Sequence, residues 1–101
     1  MYNDVYDTYT ISFYIPEGRI VAAYDKDGKI IRTIERFKNV KLPENILMAV
    51  TQRFPNWAIV KDAYKINYMD HAGVTKKEYK IKLKNGDKRM TVKVNEAGDF
   101  L

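Results

Sequence analysis

At 101 residues the chain has the length of one domain, enough to bury a core without metal ions or disulfides. The absence of cysteine excludes disulfides, thiolate metal sites and cysteine nucleophiles, and a single histidine excludes histidine triads and multi-histidine metal sites. No apolar run reaches the roughly 18 residues of a transmembrane helix, so we expect no membrane insertion. The net charge of +5 comes from residues 41–101, and residues 76–93 hold eight basic residues against Glu78 and Asp87.

The first third of the chain alternates with the two-residue period of half-buried strands. In residues 8–15 the apolar side chains occupy the odd positions, and a turn follows at residues 16–18. A second strand leads to a turn at residues 25–28, and a third strand runs from Lys29 to about Phe37. The alternation of the third strand slips after Ile34, which predicts a bulge or a strand end there.

One amphipathic helix of about a dozen residues follows. Pro43 and Glu44 suit its first turn, where proline needs no amide hydrogen and a carboxylate faces the positive end of the helix dipole. Pro55 ends the helix, because the residue before a proline is pushed out of the helical conformation. We expect the helix to cover one face of a sheet with an apolar stripe formed by Ile46, Leu47, Val50 and Phe54.

Strand patterns resume after the helix. Residues 58–69 form a long strand with apolar even positions that include Val60, and residues 77–84 alternate between apolar residues and lysine. Asn85-Gly86 is the strongest hairpin signal, and residues 89–95 return as the last strand. The sequence predicts an α+β fold, with an antiparallel sheet of about six strands, a single helix packed on one face and the order β-β-β-α-β-β-β. The aromatic residues expected in its core are Tyr24, Phe37, Phe54, Trp57, Tyr64 and Tyr79.

The first hairpin recurs near the C-terminus. A shift of 70 residues places residues 9–13 on residues 79–83 without a gap, with agreement of their apolar positions, and Gly28 on Gly98. This agreement predicts a single domain over residues 1–101, in which residues 1–27 resemble the final hairpin of a preceding unit and residues 28–98 form one complete unit. The alternative is that two hairpins of similar length share the same pattern.

Four segments follow one another in an order that resembles the PepSY-like, or β-lactamase-inhibitor-like, family of exported proteins of Bacteroidetes. They are Asp-Lys-Asp-Gly-Lys-Ile-Ile at 25–31, Leu-Pro-Glu-Asn-Ile at 42–46, Arg-Phe-Pro-Asn-Trp-Ala-Ile-Val-Lys at 53–61 and Tyr-Lys-Ile-Lys-Leu-Lys-Asn-Gly at 79–86. The resemblance implies an antiparallel sheet with a helix on one face, inhibitory or protein-binding roles, and no catalytic residues. It also implies a periplasmic or secreted protein, although the residues after Met1 lack the basic and apolar regions of a signal peptide.

The candidate binding residues are cationic. Lys80, Lys82 and Lys84 share one face of their strand, and Arg89 and Lys93 have the same outward parity on the next one. Together with Tyr14, an aromatic residue that the pattern leaves exposed, they predict a face that binds a protein or an anionic ligand. The alternative is a solvated face on which lysine prevents edge pairing. Nucleic acid is not expected, because no run of exposed aromatic and basic residues typical of RNA-binding sheets is present.

A second hypothesis concerns the first hairpin. Its outward positions are uncharged, namely Thr8, Thr10, Ser12, Val21 and Ala23. The hairpin could therefore serve as a structural or accessory surface that packs against a second unit or forms a homodimer.

We predict no enzyme, cofactor or metal. His71 is a loop residue and Asp25-Lys26-Asp27-Gly28 is a turn rather than a calcium loop. Asp62 shares the parity of apolar neighbours and is either a capped or paired strand residue or a buried acid with a raised pKa. One unpaired acid does not define an enzyme.

Overall fold

The computed structural model describes residues 8–70 and 73–101, except for the side chain of Val74. It consists of six strands and one helix: β1 (Tyr9–Ile15), β2 (Gly18–Tyr24), β3 (Ile30–Lys38), α1 (Glu44–Arg53), β4 (Ala58–Met69), β5 (Val74–Asn85) and β6 (Lys88–Asn95). The strands form one antiparallel sheet in the order β1-β2-β3-β4-β5-β6. This arrangement confirms the predicted α+β class and the predicted order of elements.

Because successive side chains of a strand point to opposite sides, the pairing register assigns each residue to one of two faces. The helix packs on one of them, which we call the helix-side face; the other is the far face. On the helix-side face of β5 and β6 lie Tyr79, Ile81 and Leu83, paired with Val94, Val92 and Met90. The lysines that alternate with them in β5 therefore point to the far face.

The core lies between α1 and the last strands of the sheet. Ile46 and Val50 of the helix and Leu42 before it pack with four buried strand residues, Tyr79, Ile81, Leu83 and Val94. A helix is about 10 Å wide and strands lie about 4.8 Å apart, so one helix covers only two or three of the six strands. The helix-side face of β1 and β2 therefore has no helix above it in the part of the chain that the structure describes.

The C-terminal residues close one end of this core. The rings of Phe54 and Phe100 meet edge to face with their centroids 5.7 Å apart, and the guanidinium of Arg53 lies 5.0 Å from the centroid of Phe100. Asn45 Nδ2 donates a hydrogen bond of 3.0 Å to the backbone oxygen of Glu96. These contacts join both ends of α1 to the segment that follows β6.

Four local expectations are wrong. β3 continues without a register shift past Ile34, because β4 pairs with it regularly as far as Lys38. Register shifts occur instead between Ala23 and Tyr24, where β2 pairs with β3, and between Ile59 and Lys61 of β4. Val60 therefore falls outside the alternation and is exposed, while Ile59 packs against the core.

The other two concern the helix and the aromatic residues. Pro43 is the N-cap of α1 rather than a residue of its first turn. Tyr24 and Phe37 lie on the part of the sheet that α1 does not reach, so they are only half-buried and stand outside the core cluster.

Candidate anion-binding face

The far face carries most of the basic residues of the sheet. Opposite partners in the register share a face, so Lys80 lies beside Lys93, Lys84 beside Arg89, and Lys61 beside Lys82. We call this surface the basic face; it comprises Arg19, Arg32, Arg36, Lys38, Lys61, Lys65, Lys76, Lys80, Lys82, Lys84, Arg89 and Lys93. All but the half-buried Lys65 are exposed.

Acidic side chains neutralise little of the positive charge on the basic face. Its acidic residue is Glu78, which pairs with Lys65 and Asn95 in the strand register. Among the described residues, the ion pairs are Lys29 with Asp70 at 3.5 Å and Lys77 with Glu96 at 3.7 Å, and neither lies on this face. Like charges directly opposite each other on neighbouring strands destabilise a sheet. The arrangement therefore lowers stability while concentrating positive charge.

A depression interrupts the basic face where the register of β4 shifts. Its volume is about 250 Å³, and Arg36, Lys38, Lys61, Lys80 and Lys82 contribute to its lining together with Asn39, Asp62 and Ala63. Three strands, β3, β4 and β5, thus supply cations to one concave site. A concave site lined by one sign of charge focuses the electrostatic field and attracts counter-ions.

The predicted binding residues occupy two parts of the far face. Lys80, Lys82, Lys84, Arg89 and Lys93 are brought together on β5 and β6. Tyr14 lies on β1, at the opposite edge of the sheet, and is 73% exposed.

Tyr14 nevertheless borders the basic face. It pairs with Arg19, which in turn pairs with Arg36, and with these residues it lines a second depression of about 360 Å³.

Sequence reasoning missed the cations that β3 and β4 contribute, namely Arg32, Arg36, Lys38, Lys61 and Lys65. The signal was present for two of them, since Lys61 and Lys65 alternate with Asp62 and Tyr64 along one strand. What the sequence did not supply was the pairing of β4 with β5, which places these residues beside Lys82 and Glu78.

Asp62 pairs with Ile81 in the strand register, which assigns its side chain to the helix-side face, and the residue also contributes to the lining of the depression. Its Oδ1 atom is buried and has no hydrogen-bond partner among the described residues. Burial raises the pKa of this carboxyl above its ordinary value of 3.8, and a hydrogen bond from the backbone of Val40 partly offsets that shift. The residue as a whole is half-buried, and its raised pKa fits the second of the two alternatives drawn from the sequence.

Among the described residues, Asp62 belongs to no cluster of metal-ligating side chains. In residues 8–70 and 73–101 no group of three histidine, cysteine, aspartate or glutamate side chains is placed to hold a metal ion. The Asp25 turn uses its carboxylate internally, because Oδ1 accepts hydrogen bonds of 2.9 Å from the backbone amides of Asp27 and Lys29. His71 lies outside the described residues.

The outward positions of the first hairpin are uncharged, as the second hypothesis states, but they offer little exposed apolar surface. Val21 is half-buried and Ala23 is buried, while Thr10 and Ser12 are exposed but polar. The large exposed apolar side chains of β1 lie on the helix-side face instead; they are Tyr9, Ile11, Phe13 and Ile15.

Compared with protein-family models, with curated proteins and with solved structures, the chain has no match. The resemblance to the PepSY-like family stays a prediction. Among the residues that the structure describes, no helix has the length and apolar character needed to cross a membrane.

Proposed function

We propose that the protein is a non-catalytic binding module that engages the acidic surface of another protein through the basic face. The observation that carries this proposal is the placement of like charges on neighbouring strands, Lys80 beside Lys93 and Lys84 beside Arg89, without acidic partners within ion-pair distance among the described residues. Such an arrangement is unfavourable in the free protein and becomes favourable when an anionic surface covers it.

The geometry of a sheet favours an extended partner. Cations on neighbouring strands stand about 4.8 Å apart, and those two residues apart along a strand stand roughly 6.6 Å apart. Such a lattice spreads positive charge over an area, so it can bind several carboxylates of one partner at the same time. The depression between Lys38, Lys61 and Lys80 then provides a position where one acidic side chain is surrounded by cations.

An acidic protein fits this surface better than single-stranded nucleic acid does. Proteins that bind single strands stack bases on exposed aromatic rings placed among the cations. Among the described residues, the exposed aromatic that borders the basic face is Tyr14, and it lies on β1, remote from the β5–β6 lysines. We further propose an extracytoplasmic location, as the family resemblance implies.

Charge reversal tests the function. The triple variant Lys80→Glu, Lys82→Glu and Lys84→Glu should weaken binding to immobilised poly-L-glutamate by about tenfold or more, because three attractions become repulsions. Binding of the native chain should fall steeply with added salt. Surface plasmon resonance against poly-L-glutamate and against single-stranded DNA measures both the loss and the preference.

A matched control changes the same number of charges elsewhere. Lys26, Lys41 and Lys88 are exposed and lie outside the basic face. Their reversal to glutamate should alter poly-L-glutamate binding much less than reversal of the three β5 lysines. Equal losses in the two triple variants would show that only net charge matters and would refute a specific face. Tighter binding to single-stranded DNA than to poly-L-glutamate would assign the face to nucleic acid instead.

The exposed apolar residues of β1 favour a second candidate function, that of a structural domain that packs against another unit. That surface lies on the opposite side of the sheet from the basic face, so the two functions are separable by mutation.

A further inference from the structure

The first hairpin and the last hairpin have the same register. The pairs Ile11–Ala22 and Phe13–Ile20 of β1 and β2 recur, 70 residues on, as Ile81–Val92 and Leu83–Met90 of β5 and β6. The cross-strand contact of Tyr24 with Ile30 likewise recurs as Val94 with Phe100.

The turns that follow the two hairpins also match. Gly28 and Gly98 both have positive φ, and the backbone amide of each donates a 3.0 Å hydrogen bond to the backbone oxygen three residues earlier. The side chain of Asp25 accepts from the amides two and four residues on, and the side chain of Asn95 does the same. The repetition thus extends from side-chain pattern to individual hydrogen bonds.

The two hairpins differ in what covers them. Ile81 and Leu83 are fully buried beneath α1, whereas their counterparts Ile11 and Phe13 are 45% and 53% exposed. The apolar surface is continuous between them, because Tyr64 stacks on Tyr79 at 4.6 Å and pairs with Phe37 on the next strand. The same pattern of residues therefore forms a buried core at one end of the sheet and an exposed apolar surface at the other.

The edges of the sheet differ in the same way. The outer edge of β6 is occupied, since the amide of Leu101 donates a hydrogen bond of 2.9 Å to the backbone oxygen of Lys93 and Val94 bridges to Phe100. In the described part of the chain, β1 pairs only with β2, and its residues Tyr9–Ile15 include no charge, proline or bulge. Natural proteins protect free edges with such devices. β1 has the character of an internal strand.

We propose that β1 and the helix-side face of β1 and β2 are the docking site of a helix–strand segment of the kind formed by α1 and β4. In the matching hairpin, β4 pairs along β5 while Ile46 and Val50 of α1 cover its apolar side chains. A single segment of this kind would therefore both pair with the free edge of β1 and cover its exposed apolar face.

The occupant to which we commit reaches β1 from its N-terminal side in the same polypeptide. β4 ends at Met69 and β5 begins at Val74, so the corresponding strand would lead directly into β1. A second copy of the chain is a poorer source, because its own α1 and β4 are already packed against its own β5. The inference is independent of the basic face, which lies on the other side of the sheet.

The test adds a segment of this kind. A copy of residues 31–70, which contains α1 and β4, is joined ahead of Met1 of the full chain, where the 70-residue repeat would place it. We expect the extended protein to bind the apolar dye ANS several-fold less than the native chain and to remain monomeric in sedimentation. Amides of β1 that β2 does not pair should exchange with solvent at least tenfold more slowly.

The control carries Ile46→Asp and Val50→Asp in the added copy only. It should bind ANS as strongly as the native chain, because the added helix no longer has an apolar stripe to cover β1. Unchanged ANS binding and fast β1 exchange in the first extension, or its aggregation, would overturn the proposal. So would protection of β1 in a native dimer, since a second copy would then be the occupant.

Discussion

Asp62 has a buried carboxyl oxygen without a hydrogen-bond partner in the described part of the chain, which is unusual for a strand residue. Its carboxyl group lies on the helix-side face, with Oδ1 buried and lacking a hydrogen-bond partner among the described residues. Burial raises its pKa above 3.8, so the folded protein holds the proton more tightly than the unfolded chain does. The stability linked to this group is therefore complete below pH 3.8 and is lost as the pH rises through the raised pKa.

We expect Asp62→Asn to stabilise the protein at neutral pH, because asparagine avoids burying a charge. The midpoint of urea denaturation should be higher for the variant at pH 7, and the difference should disappear as the pH falls towards 3.8. Urea denaturation across this pH range measures the effect. A variant that is less stable at pH 7 would show that the carboxylate has a stabilising partner.

At the scale of elements, the position of α1 decides which strands are buried. Ten residues of helix cover β5 and β6, and the segment after β6 closes the end of that layer through Phe100. The matching residues of β1 and β2 have no such cover in the described structure. Equivalent residues in the two hairpins should therefore contribute unequally to stability.

Phe100→Ala should lower the free energy of unfolding by about 1–2 kcal/mol, less than the roughly 3–5 kcal/mol of a fully buried phenylalanine, because the ring is half-buried. Phe13→Ala is the matched control, since its ring is 53% exposed and lies on the uncovered face. We expect the control to change stability by less than about 1 kcal/mol. Equal losses in urea denaturation would mean that Phe13 is covered in solution.

For the whole molecule, the distribution of charge matters more than the net value of +5. The basic face concentrates cations on one side of the sheet, while Asp62 lies on the other side and Asp25 and Asp27 lie in a turn. Repulsion on the basic face opposes folding, and dissolved salt screens that repulsion. The same repulsion makes an anionic partner favourable, so stability and binding should respond to salt in opposite directions.

Raising sodium chloride from about 0.01 M to 1 M shortens the Debye length from roughly 30 Å to 3 Å. We expect the melting temperature to rise by several degrees, given about 4–8 °C for each kcal/mol in a domain of this size. Lys93→Glu places an acid opposite Lys80, so this variant should be more stable at low salt and respond less to added salt. A melting temperature that falls with salt would contradict this account.

Local patterns in the sequence determined the elements of this protein. Alternation, the turn at Asp25, the Asn85-Gly86 hairpin and the stop at Pro55 act over a few residues, so they predicted the strands, the helix and the shared face of Lys80, Lys82 and Lys84. Pairing between distant segments was not readable in this way. It added Arg36 and Lys61 to the basic face and placed the register shifts at Tyr24 and Val60 rather than after Ile34.

The tertiary structure alone decided which apolar residues are buried. Ile11 and Ile81 occupy equivalent positions in nearly the same local pattern, yet Ile11 is 45% exposed and Ile81 is fully buried. The physical reason is that burial depends on what packs above a strand, and α1, far from both residues in the chain, lies above only one of them.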